Sequence, residues 1–547
     1  MSVNDLALKG NELARYIFLT LFLFSSLSPA TASLAFPHSS KTLKIAIGDE
    51  PITLNPFLAR DVWSVKVINL LFDGLYDYGP NLTYVPILAS GPPEVRNDTL
   101  VIKLRSGLSW SDGSRLTTKD VKFTLEALKK LKPPHLRDVI SYLKDVEIID
   151  DRTLKMRVDP KGLGLVLYDL LTLPIVNERQ WRPLLDEALS KGDPLTNFYK
   201  IWPSKLLSSG PFVLKSWRAG TLVLVRNRFY PYDRNKGISK LVLKVYLNLN
   251  EALLALRRGE VDYIWVGLSP GYAEVLSRER KVKLALSPGD KIYYLGFNLR
   301  KEPWSNLGFR KALSTAIDRG FIVTFILKGY GEGAYSLVPK WNKYWYNPNV
   351  TLPVAKLTID ERLTKAKEML IKAGYGRGNG ISREYLMLVP SPHSDPNLYK
   401  IAIFLQNTCT RLGIKIKVVF LPLREFINEV FKKHSFDLFL YWVRAKPYPD
   451  YLRYMFCSNF TGGGMTNAFG YSNSYFDKIA SRFAEEADLT KAKEAVFKMQ
   501  EILIRDLPCI PICIVRRVEV YRGVFTGWIT TPWGIGNKWS FLNLNEG

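Results

Sequence analysis

The stretch Phe436-Asp437-Leu438-Phe439-Leu440-Tyr441-Trp442-Val443-Arg444-Ala445-Lys446-Pro447-Tyr448-Pro449-Asp450 joins an apolar, aromatic run of strand length to a turn holding two cations, two prolines and a carboxylate. Such a run, bounded by prolines, reads as a buried strand. With a period of two, Leu438, Leu440, Trp442 and Arg444 share a face, which aims an indole and a guanidinium the same way. Two readings follow. Either a core strand leaves through a solvated loop, or one wall of a polar site stands where the strand ends.

The rest of the chain alternates strands with helices. Leu43–Ile47, Thr99–Arg105, Phe212–Leu214, Thr221–Val225 and Leu241–Leu247 carry strand patterns. Helical spacing of apolar residues covers Val65–Leu75, Leu307–Leu327 and Glu361–Ala373, the last followed by Gly374 as a left-handed stop. Thr117-Thr118-Lys119-Asp120 has the spacing of a capping box before a helix that ends ahead of Pro133-Pro134. Asp488 caps a helix with an apolar stripe from Ala492 to Leu503, stopped by Pro508. Interleaving without a fixed repeat predicts a mixed α/β chain.

At 547 residues the chain exceeds one hydrophobic core, so two or three lobes are expected. A 47% hydrophobic content excludes a disordered chain. The net charge is +25, yet the cations are scattered in pairs such as Arg257-Arg258 and Lys432-Lys433, which argues for a basic solvated surface and against a nucleic-acid arm. Lys9 and Arg15 precede an apolar run, Tyr16–Leu27, and then Ser28-Pro29-Ala30-Thr31-Ala32, the pattern of a cleaved export signal over residues 1–32. An uncleaved anchor is the alternative. No cysteine follows the run at lipobox distance, so lipid attachment there is not expected.

Catalytic patterns are missing. The four histidines form no metal-ligand pair at helical spacing, and no G-x-S-x-G elbow occurs, so neither a metal site nor a catalytic residue is expected. Gly329-Tyr330-Gly331-Glu332-Gly333-Ala334 follows a helix, whereas a dinucleotide-binding turn follows a strand, and it reads as a plain turn. Cys409, Cys457, Cys509 and Cys513 read as buried thiols or one bridge.

The order of short motifs resembles the family 5 extracytoplasmic solute-binding proteins, the oligopeptide, dipeptide and nickel receptors of ABC importers. The motifs are Leu54-Asn55-Pro56, Phe72-Asp73-Gly74-Leu75, Pro86-Ile87-Leu88-Ala89, Ser209-Gly210-Pro211-Phe212, Gly259-Glu260-Val261-Asp262 and Phe309-Arg310-Lys311-Ala312-Leu313. Trp110-Ser111-Asp112-Gly113-Ser114-Arg115-Leu116-Thr117-Thr118-Lys119-Asp120-Val121 is the most specific. The resemblance implies a periplasmic-binding-protein-like α/β fold with two lobes, a hinge and an extra subdomain. It implies a hinge lobe over 40–76, 196–297 and 516–547, a subdomain over 77–195 and a second lobe over 298–515. It also implies an extracytoplasmic monomer without cofactor that captures an oligopeptide and delivers it to ABC permease subunits, with no role for nucleic acid.

The same resemblance implies ligand contacts at Val62, Trp63 and Ser64 on one side and at Tyr441, Trp442, Val443 and Arg444 on the other. Peptide-binding members place a carboxylate a few residues after this tryptophan to hold the ligand's α-ammonium; Ala445 stands here, between Arg444 and Lys446. A buried charge left without its partner costs about 3–5 kcal/mol. A peptide ligand then requires Asp450 or another acid to take that role, and an oligosaccharide stacked on Trp63 and Trp442 is the alternative. A secreted polysaccharide-degrading enzyme is the competing class.

Overall fold

In a computed structural model, which describes residues 41–199, 201–232, 237–350, 357–376, 383–460 and 466–547, the strand Leu438–Arg444 lies inside a six-stranded sheet. The expected export signal lies outside these residues. The sheet runs in the order Gly331–Gly333, Cys509–Val515, Lys291–Phe297, Leu438–Arg444, Glu384–Pro390, Lys415–Leu421. Leu438–Arg444 pairs antiparallel with Lys291–Phe297, Trp442 opposite Tyr293 and Arg444 opposite Lys291, and parallel with Glu384–Pro390.

Both faces of this strand are covered. Leu438 and Leu440 pack with Phe309, Leu313, Ile401 and Leu405, whereas Phe439 and Tyr441 pack with Phe426 and Phe431. An interior strand flanked by helices on each side needs apolar residues at every position, which is why its sequence runs apolar without alternation.

A seven-stranded sheet runs in the order Lys283–Ser287, Arg517–Tyr521, Tyr263–Leu268, Thr42–Ile47, Lys240–Val245, Thr221–Arg226, Phe212–Arg218. Leu43, Ile45 and Ile47 face one core with Leu241, Leu243, Leu222 and Leu224. Ala46 faces the other, under Leu253 and Leu256 of the helix Leu249–Arg258. A third, four-stranded antiparallel sheet combines Glu94–Arg96, Thr99–Lys103, Thr153–Val158 and Leu143–Ile148.

The Trp110–Val121 motif has a local physical logic. Asp112 accepts hydrogen bonds from the backbone N–H and hydroxyl of Ser114, at 2.9 and 2.6 Å, closing a tight turn. Gly113, at φ +92°, occupies a left-handed position where a Cβ would meet the Phe229 ring at 2.9 Å. Thr117 and Asp120 form the expected capping box on the helix Thr118–Leu131. Asp120 is shared further, accepting from Trp110 Nε1 at 3.3 Å and from the backbone N–H of Glu178 at 2.9 Å. One carboxylate therefore joins the turn, the helix and the following segment.

Two expected helices differ. The segment expected as Leu307–Leu327 is a helix Leu307–Ala316, then an extended Ile317, then a short helix from Arg319. Asp318 restarts it by accepting from the backbone N–H of Phe321, so a capping carboxylate overrides continuous apolar spacing. The helix expected at Val65–Leu75 spans Val62–Leu71, because Asp61 caps its start by accepting from the N–H groups of Trp63 and Ser64. All four cysteines are buried free thiols.

The chain crosses between the two large sheets at adjacent points. From Lys283–Ser287 it runs through Pro288-Gly289-Asp290 into Lys291–Phe297, and from Cys509–Val515 it returns through Arg516 into Arg517–Tyr521. The expected division after residue 297 cuts behind Lys291–Phe297, yet that strand is hydrogen-bonded into the six-stranded sheet along its length. Backbone pairing places the crossing at 288–290.

Candidate functional site

On the helix Val62–Leu71, Val62 is exposed at the first turn. The Trp63 ring meets Trp265 edge-on at 6.4 Å. Lys66 Nζ lies 4.7 Å from the Trp63 ring and 4.5 Å from the Trp265 ring, and donates to the Trp265 carbonyl at 2.9 Å. Burial pushes the Lys66 ammonium well below its usual range, with repulsion from Arg517 and Arg444 added and Glu519 and Asp290 opposing. Ser64 is fully buried, and its hydroxyl accepts from the backbone N–H of Thr53 at 3.0 Å. Its side chain holds the preceding loop.

At the end of the strand, Tyr441 is buried against Phe426, ring centroids 4.9 Å apart. Trp442 and Val443 are half-buried. Lys291 Nζ stands 4.7 Å and the Arg444 guanidinium 5.3 Å from the Trp442 ring, so cations cover the indole that sequence reading aimed at a ligand. Arg444 is itself paired with Asp290 in the crossing segment, and Lys291 with Asp395 at 3.1 Å. Ala445 is buried, with its N–H on the carbonyl of Asp290 at 2.8 Å.

Asp450, the acid expected to replace the missing carboxylate, is fully buried and accepts from Lys446 Nζ at 3.1 Å. Lys446 also reaches Asp169 at 3.7 Å, which ties the loop to a distant segment. Burial raises the Asp450 carboxyl to about 6, against the opposing pull of Lys446. Because this lies above the unfolded value near 3.9, the folded state keeps a proton the unfolded chain has lost over roughly pH 4–6. Stability therefore falls as pH rises through that window. Asp450→Asn removes the titration, so the wild type should lose melting temperature relative to the variant between about pH 4 and 6 and run parallel above; a gap constant across the window would contradict this.

A cavity of about 1050 Å³ opens nearby, with Tyr78, Tyr84, Tyr168, Trp341, Tyr344 and Trp345 among its lining. Tyr78 and Thr531 also line an adjoining opening of about 300 Å³ that holds Lys66, Trp265, Pro447, Trp533 and Trp539. The two openings share Tyr78 and Thr531 in their linings. None of the eight residues expected at the site lines either opening; their neighbours Lys66 and Pro447 do. Sequence reading missed Trp341–Trp345. Its signal was available in Trp341-Asn342-Lys343-Tyr344-Trp345-Tyr346-Asn347-Pro348-Asn349, an aromatic and amide-rich loop with no apolar period.

A sequence profile of the bacterial extracellular solute-binding proteins, family 5, matches residues 83–464. The chain belongs to this family. It is 24% identical to the glutathione-binding protein GsiB of Salmonella typhi over 529 residues, covering 94% of this chain and 97% of GsiB. Its fold is similar to that of the ABC transporter substrate-binding protein CtaP of Listeria monocytogenes, with a TM-score of 0.76, 21% identity and coverage of 92% and 99%. It is similar also to the oligopeptide-binding protein AppA of Bacillus subtilis in complex with a nonapeptide, at TM-score 0.71, 20% identity and coverage of 92% and 99%. The expected periplasmic-binding-protein-like α/β class is thus the observed one.

Proposed function

We propose that this chain is the solute-capturing component of an ABC importer, working outside the cytoplasm as a monomer and delivering an oligopeptide to membrane permease subunits. One observation carries the reading: the 1050 Å³ cavity is lined in part by Pro288 of the crossing at 288–290, next to the return crossing at Arg516, an arrangement that permits closure about a short hinge. The seven-stranded sheet is then the core of the hinge lobe, the six-stranded sheet that of the second lobe, and the four-stranded sheet that of the subdomain. Similarity to GsiB and AppA supports a peptide-sized ligand.

Closure is favoured when the ligand touches both lobes, since only the closed state makes both sets of contacts. Contacts from Val62, Trp63 and Ser64 and from Tyr441 to Arg444 remain part of this proposal through Lys66, which lines the smaller opening and feels the charges of Arg444 and Asp290. Mass spectrometry of the purified protein for a co-purified ligand, combined with X-ray scattering before and after stripping it, tests the role. Compaction on ligand return without chemical change of the ligand is expected; turnover of the ligand would favour the enzyme reading.

Trp442→Ala should weaken capture roughly 10–100-fold while the far-ultraviolet circular dichroism stays native, because the indole supports Lys291 and Arg444, and Arg444 pairs with Asp290 in the crossing segment. Unchanged affinity would remove this strand end from the site.

A further inference from the structure

Lys66 stands on the helix Val62–Leu71 and lines the opening of about 300 Å³ together with Trp265, Asp77, Lys538 and Pro447. Its ammonium donates to the carbonyl of Trp265 at 2.9 Å and lies 4.5 Å from the Trp265 ring and 4.7 Å from that of Trp63. Among the described residues no carboxylate is ion-paired with it, and the nearby acids are each engaged by another cation. Glu519 is held by Arg517 at 2.9 Å, Asp290 by Arg444, and Asp77 by Lys538 at 2.5 Å.

An ammonium so placed is under-compensated. Lys66 is half-buried, the two indole faces attract it less than a carboxylate would, and repulsion from Arg517 exceeds the attraction of Glu519. Its own helix carries no other charged residue. Asp77, on the wall of the same opening, does not supply the counter-charge, since it shares Lys538 with the buried Asp73. A cation left in this state beside an opening is completed by an anion arriving from solvent, which forms a charge-assisted hydrogen bond with it. Where the ligand is a peptide, its free carboxylate is that anion.

We propose that Lys66 anchors the free carboxylate of the captured peptide. This role rests on the capture reading and deepens it, fixing which end of the ligand the hinge lobe holds. Trp265, whose carbonyl accepts from Lys66, lies on the strand Tyr263–Leu268 of the seven-stranded sheet, whereas Pro447 follows the strand Leu438–Arg444 of the six-stranded sheet. A carboxylate on Lys66 therefore sits where segments of both lobes meet.

The test loads the ligand-stripped protein with a mixture of tetrapeptides built from uncharged residues, in equal amounts with free and with amidated C-termini, and identifies the peptides retained through gel filtration by mass spectrometry. Free acids should be retained in about tenfold or greater excess over their amides. Lys66→Gln keeps a donor for the Trp265 carbonyl but no charge, and should retain acids and amides alike; Lys66→Arg keeps the charge and should keep the preference. Lys66→Met, an unbranched apolar chain against the two indoles, replaces the glutamine variant should that one not fold. Equal retention of acids and amides by the wild-type protein overturns the role of Lys66 and leaves the capture reading standing. An acid preference that survives loss of the charge at position 66 places the carboxylate elsewhere and overturns it too. Retention of no peptide overturns the oligopeptide reading and this role with it.

Discussion

Lys538→Met is expected to destabilise the protein by about 3–5 kcal/mol at neutral pH. Lys538 Nζ lies 2.8 Å from Asp73 and 2.5 Å from Asp77, bridging residues 465 positions apart at one end. Asp73 is buried, so removing the ammonium leaves a carboxylate without its counter-charge and with the Tyr230 hydroxyl still bonded to it. Asp77 is a third exposed and regains hydration. Burial already raises the Asp73 carboxyl, with Lys538 opposing. Without the lysine its folded pKa rises further above the unfolded one, so the penalty holds above that pKa and shrinks as pH falls and Asp73 takes up a proton. Urea denaturation at pH 7 and pH 5 checks both statements. A loss under about 1 kcal/mol at pH 7, the range of exposed pairs, would show that the bridge is screened.

Gly289→Ala should have a comparable effect, about 3 kcal/mol or more, and act on the crossing itself. Gly289 has φ +83°, and a Cβ there would lie 2.0 Å from the carbonyl oxygen of Val515, a backbone atom that cannot swing aside. The left-handed conformation alone costs roughly 1–2 kcal/mol for a residue with a Cβ, and overpacking typically adds 1–3 kcal/mol. The two crossing strands would have to separate, carrying with them the Trp341 bond to Gly289 and the Ala445 bond to Asp290. The variant should melt early and, where folded, bind ligand weakly. A wild-type melting curve would mean that the crossings lie farther apart than described.

Legibility followed locality. The strand Leu438–Arg444, the capping box at Thr117 and Asp120, the Asp488 cap and the Gly374 stop were readable because each depends on residues within a few positions. The break at Ile317 escaped because apolar spacing continues through it, while Asp318 could act either as an exposed helical residue or as a cap. Ser64 and Asp450 show a different limit. A short polar side chain goes where its tertiary neighbours offer a partner, and Thr53 and Lys446 offered theirs inside the fold.

Sequence by itself determined the elements, the α/β class and the family resemblance, because hydrophobic period, turn chemistry and capping are short-range properties. It also showed the missing acid at Ala445. Only the tertiary structure decided what faces the cleft. Tyr78, Trp341 and Thr531 come from segments hundreds of residues apart, and the ion pairs that engage Asp77, Asp169, Asp290 and Asp450 exist only once the chain has crossed between its sheets. The charge a ligand meets is what remains after long-range pairing, and no local pattern encodes that remainder.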